Sequence, residues 1–273
     1  MIDEDAVTAA MEADPDATLS LLAEMTSATD VGLRRLARLL AARLFLDIAR
    51  QEPADAGGIG RVVTRPYRPD AGDLDVEASL DALVEAHAAG RAVDVDALRI
   101  RSWARPETAW CLLTDRSGSM NGRPLATAAL AAAAVSMRAK GEYAVLSFAR
   151  DVIAVKAMWE NRSRDDVVDR VLALRGHGTT DVAGALRAAG DQLARASARR
   201  RVTVLLSDCR ATEPGDVIGA AQALDELVVL APEGDAEEAA ELAAAVGARW
   251  TTVAGPTSIV PALGRVLDRV SRS

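Results

Sequence analysis

Cysteine is nearly absent: Cys111 and Cys209 are the only two in 273 residues. Two thiols cannot build the multi-bridge framework of small secreted domains, and nothing places the chain in an oxidising compartment. Aromatic residues make up only 3%, so alanine, leucine and valine must fill the core. Positive charge is in deficit. The 32 Lys and Arg against 40 Asp and Glu leave a formal charge of −8, the wrong sign for a protein held to nucleic acid mainly by phosphate contacts. No long hydrophobic run is present either. The longest candidate, Leu125 to Met137, is mostly alanine, contains Thr127 and Ser136, and is too short to span a bilayer. The first residues, Met1-Ile2-Asp3-Glu4-Asp5, are acidic where a secretory signal is basic, and no apolar stretch follows them. The chain reads as a cytoplasmic protein without a membrane segment.

What is present is the balance of a soluble chain with a real core: half the residues are hydrophobic and 26% charged. Three zones follow one another. Residues 1–50 read as a helical region. Asp16 or Thr18 is placed to cap a helix carrying Leu19, Leu21, Leu22 and Met25, and a second helix sets Leu33, Leu36, Leu40, Leu44 and Ile48 near helical spacing. Residues 51–107 read as a linker with short connecting elements. Pro53, Gly57, Gly58, Gly60, Pro66, Pro69 and Gly72 break regular structure. A short helix is expected over Asp73 to Leu83, with short strands at Arg91 to Asp94 and Leu98 to Arg101.

Residues 108–273 have the clearest rhythm. An apolar strand, Ala109 to Thr114, ends at Asp115 and is followed by an Ala-rich helix from Leu125 to Arg138. Tyr143 to Phe148 and Val152 to Val155 are separated only by Ala149-Arg150-Asp151, which predicts an antiparallel hairpin. Helices over Asp165 to Leu174 and Val182 to Ala198 enclose a Gly-rich loop. Strands at Val202 to Leu206, Leu227 to Ala231 and Arg249 to Val253 alternate with further helices, the last from about Ser258 to Val270. This alternation predicts an α/β domain: a doubly wound, mostly parallel six-stranded sheet with one antiparallel edge strand.

Three loops of this zone carry chemistry. The first strand runs into Asp115-Arg116-Ser117-Gly118-Ser119-Met120, the Gly-rich loop reads Gly178-Thr179-Thr180-Asp181, and the fourth strand ends in Leu206-Ser207-Asp208. In an open α/β sheet, loops at the carboxyl ends of strands converge where the winding reverses. Asp115, Ser117, Ser119, Thr180 and Asp208 then offer only small oxygen ligands. Hard oxygen donors without a His–Cys cluster suit Mg²⁺, with Mn²⁺ as a substitute, rather than zinc. The alternation Asp-x-Ser-x-Ser lets one tight loop aim three oxygens at a single point. Neutral hydroxyls leave a divalent ion under-compensated, so the site keeps room for an anionic ligand such as a partner's Glu or Asp.

These residues resemble the metal-ion-dependent adhesion site of von Willebrand factor A domains, and the strand–helix order is similar to that Rossmann-like fold from about Thr108 to Ser273. The resemblance implies that Ser117, Ser119 and Thr180 contact Mg²⁺ directly, and Asp115 and Asp208 directly or through water. Many members read Gly-Gly-Thr where this chain has Gly176-His177-Gly178-Thr179-Thr180. The distance to Ala185-Leu186 favours Thr180, with Thr179 as the other reading. The Gly72-Asp73-Leu74-Asp75 region leading through Trp103 is similar to bacterial CoxE-like and magnesium chelatase D-type proteins. That narrower resemblance implies a partner, a MoxR-type AAA+ ATPase or its client, supplying an acidic side chain to the metal.

The alternative is an enzyme: a metal-dependent hydrolase or phosphotransferase using the Asp115/Ser117/Ser119 loop. An aspartyl phosphatase wants a second carboxylate where Ser117 stands. A serine elbow wants glycines two residues either side, which neither serine has, and no phosphate-binding Gly-x-x-x-x-Gly-Lys-Ser/Thr occurs. No nucleophile–base pair emerges, so the chain is expected not to be an enzyme. His177 is expected to face solvent or a partner. The cysteines are expected to be small buried residues beyond disulfide reach of each other.

Overall fold

The computed structural model describes residues 3–28, 31–51, 61–67, 73–104, 108–117, 122–139, 141–176 and 178–268. The chain begins with three helices, α1 (Glu4–Ala13), α2 (Pro15–Met25) and α3 (Val31–Gln51). Strands β1 (Arg61–Pro66) and β2 (Asp73–Leu74), helix α4 (Val76–Ala88) and strand β3 (Arg99–Ala104) follow. The remainder alternates: β4 (Thr108–Asp115), α5 (Gly122–Arg138), β5 (Tyr143–Phe148), β6 (Val152–Lys156), α6 (Arg164–Leu172) and α7 (Val182–Leu193). Then come β7 (Arg200–Leu206), α8 (Val217–Gln222), β8 (Leu227–Pro232), α9 (Glu237–Val246), β9 (Arg249–Val253) and α10 (Ile259–Asp268). Among the described residues no helix is long and apolar enough to cross a membrane.

These elements form two compact units, one from residues 1–55 and 108–273, the other from residues 56–107. The smaller unit is a three-stranded antiparallel sheet in the order β1-β3-β2 with α4 beside it. The stretch expected as a linker with short connecting elements carries this sheet and helix. Pro66 is tolerated as the last residue of β1 because that strand lies at the sheet edge. Residues 91–94 form no strand. Asp75 caps α4 by accepting from the Ala78 N–H at 3.1 Å. That cap starts the helix later than the sequence pattern suggests.

The larger unit has a six-stranded sheet in the order β6-β5-β4-β7-β8-β9. All neighbours are parallel except the β5–β6 hairpin, which places one antiparallel strand at an edge. The first and fourth strands of this zone, β4 and β7, lie side by side, with Thr114 paired to Leu206. Helices cover both faces. One face carries α7 and the short helices beyond it, packed on Cys111, Leu113, Leu146, Leu205 and Val229. The other carries α5, α6 and α10.

The first three helices pack outside α5, and this changes how the Ala-rich segment is read. Residues 125–136 are buried without a break, so α5 has no solvent face. One side lies on Leu112, Val145 and Val204 of the sheet, and the other meets Leu19, Leu22, Ala41 and Phe45 of α2 and α3. Alanine all round suits a helix in contact on every side, because short side chains let neighbours approach closely. The N-terminal helices are therefore a layer of this core. The cap of α2 is Asp14, which accepts from the Ala17 N–H at 2.9 Å, with Pro15 in the first turn. It is not Asp16 or Thr18. Asp16 instead accepts from the Thr257 N–H near the end of the chain at 2.9 Å.

Candidate metal centre

The register of β4 and β7 decides where the chemistry sits. With Thr114 opposite Leu206, Asp115 and Ser207 leave the same sheet edge at the same level. Asp115 Oδ1 accepts from the Ser117 N–H at 2.8 Å, and Oδ2 accepts from Ser207 Oγ at 2.7 Å. Ser207 Oγ in turn accepts from the Cys209 N–H at 2.9 Å. Both carboxylate oxygens are thus oriented by backbone or side-chain donors of the loops they join. Cys209 has φ 66°, the only positive φ at a non-glycine residue among those described. The chain turns sharply there in a conformation that disfavours any residue with a Cβ.

Asp208 stands between these groups, half-buried, with Oδ1 accepting from the Arg210 N–H at 3.0 Å. Burial is the main influence raising its pKa above the ordinary value. The Arg210 N–H opposes that shift, and the charges of Asp115 and Asp235 add to it. Arg210 reaches outward to Asp235 at 2.5 Å and Glu238 at 3.1 Å.

Thr180 arrives from the loop before α7. It is buried; its N–H donates to Thr212 Oγ1 at 2.7 Å, and its carbonyl accepts from the N–H groups of Thr212 and Glu213. Thr179 is exposed, and its hydroxyl donates to Glu213 Oε1 at 2.5 Å. Asp181 caps α7 through the Gly184 N–H at 2.7 Å, which fixes the turn that presents Thr180.

A cleft of about 300 Å³ opens where these loops meet, lined by Ser117, Gly178, Thr179, Thr180, Asp208, Arg210 and Thr212. Of the residues singled out in the sequence, Ser117, Thr180 and Asp208 share this cleft. Asp115 is tied to it through Ser117 and Ser207. Ser119 and His177 lie outside the described residues.

Sequence reasoning passed over Ser207, Thr212 and Arg210. Ser207 carried a signal, since it directly precedes Asp208 at the strand end. Thr212 carried none: its partner Thr180 is 32 residues away, and only the fold joins them. Both cysteines are free and buried as expected. Cys111 pairs in register with Thr203, whereas Cys209 lies past the end of β7. Burial is the main influence pushing the Cys209 thiol up to about 12, and the charges of Asp208 and Asp115 add to it.

The donor chemistry fits a hard divalent cation. Every donor is oxygen, and the charges of Asp115 and Asp208 are close enough for one to raise the other's pKa, a repulsion that a cation relieves. Among the described residues no group of three or more His, Cys, Asp or Glu is gathered. A site here must therefore use hydroxyls beside its carboxylates, as this cleft offers.

Comparison with known proteins agrees with this geometry at the level of fold. No curated protein matches the chain. A "von Willebrand factor type A" structure from Catenulispora acidiphila is similar at 18% identity with TM-score 0.51, over 63% of this chain and 44% of that one. The present chain thus spans less than half that protein's length. A mutant of the PilB minor pilin from Streptococcus sanguinis is similar at 10% identity with TM-score 0.50, over 64% of this chain and 65% of that one. The family described as "VWA domain containing CoxE-like protein" matches residues 52–268, a span that takes in the small three-stranded unit as well as the six-stranded sheet. The chain belongs to the VWA-domain-containing CoxE-like family.

Proposed function

We propose that this protein is a divalent-cation-dependent protein-binding module, with Mg²⁺ as its ion and Mn²⁺ as a substitute. In this reading it serves as an adaptor or co-chaperone for a MoxR-type AAA+ ATPase in the cytoplasm. The residues that would hold the cation are Asp115, Ser117 and Ser119 after β4, Thr180 before α7, and Asp208 after β7. One observation carries the reading: Ser117, Thr180 and Asp208, from three separate loops, line a single cleft into which Asp115 is tied. Thr180 is preferred to Thr179, whose hydroxyl is already given to Glu213.

When bound, the cation supplies a Lewis-acidic position for one more anionic oxygen. The chain's own contribution is to hold the donors and to leave one side open. Three of the five donors are neutral hydroxyls, so the two aspartates just balance the ion, and an acidic side chain from a partner adds only one net negative charge to the completed set. The buried cysteines offer no nucleophile, and energy for any conformational work comes from the ATPase.

The test is Asp115→Ala on the full chain. The expected outcome is loss of Mn²⁺ binding by titration calorimetry and loss of Mg²⁺-dependent capture of a MoxR-type ATPase, with an apo melting curve close to that of the original protein. Capture that persists in excess EDTA, or in Asp115→Ala, overturns the proposal. A large fall in melting temperature on chelation with unchanged capture assigns the cation to loop stability alone.

A further inference from the structure

Arg116 stands in sequence between two of the proposed ligands but does not line the cleft. Its side chain is 1% exposed, the largest of the fully buried side chains. A guanidinium is rarely buried without a paired charge. The pair here is Asp151, which receives an ion pair from Nη2 although its own side chain is 67% exposed. Arg116 Nε is buried without a hydrogen-bond partner, so the guanidinium leans on Asp151 for its charge.

Asp151 lies on the turn of the β5–β6 hairpin, and that turn is bonded to two of the three site loops. The Arg116 N–H donates to the Phe148 carbonyl at 2.8 Å, so this residue is held to the hairpin by its backbone as well as its side chain. The turn is closed by the Ala149 N–H on the Asp151 carbonyl at 3.0 Å. The Ala149 carbonyl then accepts from the Asp181 N–H at 2.9 Å, immediately after Thr180. One short turn therefore braces the loop of Asp115 and Ser117 on one side and the loop of Thr180 on the other.

We infer that Asp151, an exposed turn residue that supplies no ligand, is a positioning residue for the cation site. It acts through Arg116 on Asp115 and Ser117, while the turn it closes holds Thr180. The inference rests on the cleft being a cation site. A ligand set must be held to within about 0.5 Å of its working geometry, and a buried guanidinium without its carboxylate cannot keep its place. Losing the pair thus moves the loop as well as weakening the fold.

The experiment compares Asp151→Asn with Ser163→Ala on the full chain. Ser163 caps α6 by accepting from the Asp166 N–H at 3.1 Å, away from the cleft, so its loss lowers stability without touching the braced loops. For Asp151→Asn the expected result is Mn²⁺ binding weakened at least tenfold. Without metal, amide exchange should be faster at residues 115–117 and unchanged in β8. Ser163→Ala is expected to melt earlier with native Mn²⁺ affinity, and Asp151→Glu to recover most of the lost affinity. If Asp151→Asn fails to fold, the double variant Arg116→Met with Asp151→Asn removes both charges; it is expected to fold and still bind Mn²⁺ at least tenfold more weakly. Native Mn²⁺ affinity in Asp151→Asn or in the double variant overturns the inference, as does an equal loss in Ser163→Ala. Failure of the unaltered chain to bind Mn²⁺ overturns the cation reading itself, a result distinct from the others.

Discussion

Phe45→Ala tests whether the N-terminal helices belong to the core of the α/β unit. Phe45 has no exposed surface and lies in one cluster with Leu19 and Leu22 of α2, the alanines of α5 and Val168 of α6. Truncating a buried phenylalanine costs about 3–5 kcal/mol, the larger figure where the surroundings cannot close the cavity. Here α5 is held against the sheet on its far side, so it cannot move towards α3 without opening a gap beneath itself. A value in the upper half of the range follows. At about 2–4 °C per kcal/mol for a unit of this size, the melting temperature should fall by roughly 10 °C or more. Leu36→Ala on the same helix, at a position 47% exposed, should change stability by only about 0.5 kcal/mol. Circular dichroism and calorimetry supply the assay, with the whole α/β transition shifting as one. The reasoning is refuted if Phe45→Ala splits off a separate early transition and the main one stays in place, because the helices would then be an appendage.

Two further outcomes can be checked on the same material. Gly247 ends α9 at φ 69°, with the Ala248 N–H on the Ala243 carbonyl at 2.9 Å, and a Cβ there meets nothing within 4 Å. Gly247→Ala should therefore cost about 1 kcal/mol through backbone strain alone, with Gly247→Asn costing less in a urea melt. Glu160 is held down to about 2 from 4.5, first by its hydrogen bonds from Arg162 and then by the Ala157 N–H. A carboxylate lowered in the folded state contributes fully above its unfolded pKa, and loses that contribution as pH falls from about 4.5 to about 2. Melting temperatures of the original chain and Glu160→Gln should converge across that window; parallel curves would show that the carboxylate gives nothing.

Much of the fold was legible because its signals are local. The β5–β6 hairpin follows from two apolar runs three residues apart, and the parallel sheet from strands that alternate with helices. Errors arose where several local choices are equivalent. Asp14, Asp16 and Thr18 can all cap α2, and the winner precedes Pro15, whose missing N–H is harmless in a first turn. The helix expected to reach Ala198 stops at Leu193, because the chain needs the intervening residues to enter β7. There Arg201, within β7, donates to the Ala196 carbonyl of that connection.

The primary structure by itself determined the kinds of oxygen available, the loops that carry them and the order in which those loops follow strand ends. Those properties depend on residue type and on near neighbours. Only the folded chain decided that Ser207 grips Asp115, that Thr212 grips Thr180, that Asp151 pairs with a buried Arg116, and that α2 and α3 seal an alanine helix on its outer side. Each joins segments far apart in the chain, where local preference is silent. The choice of partner rests on the register between β4 and β7 and on which charges and apolar faces packing leaves uncovered.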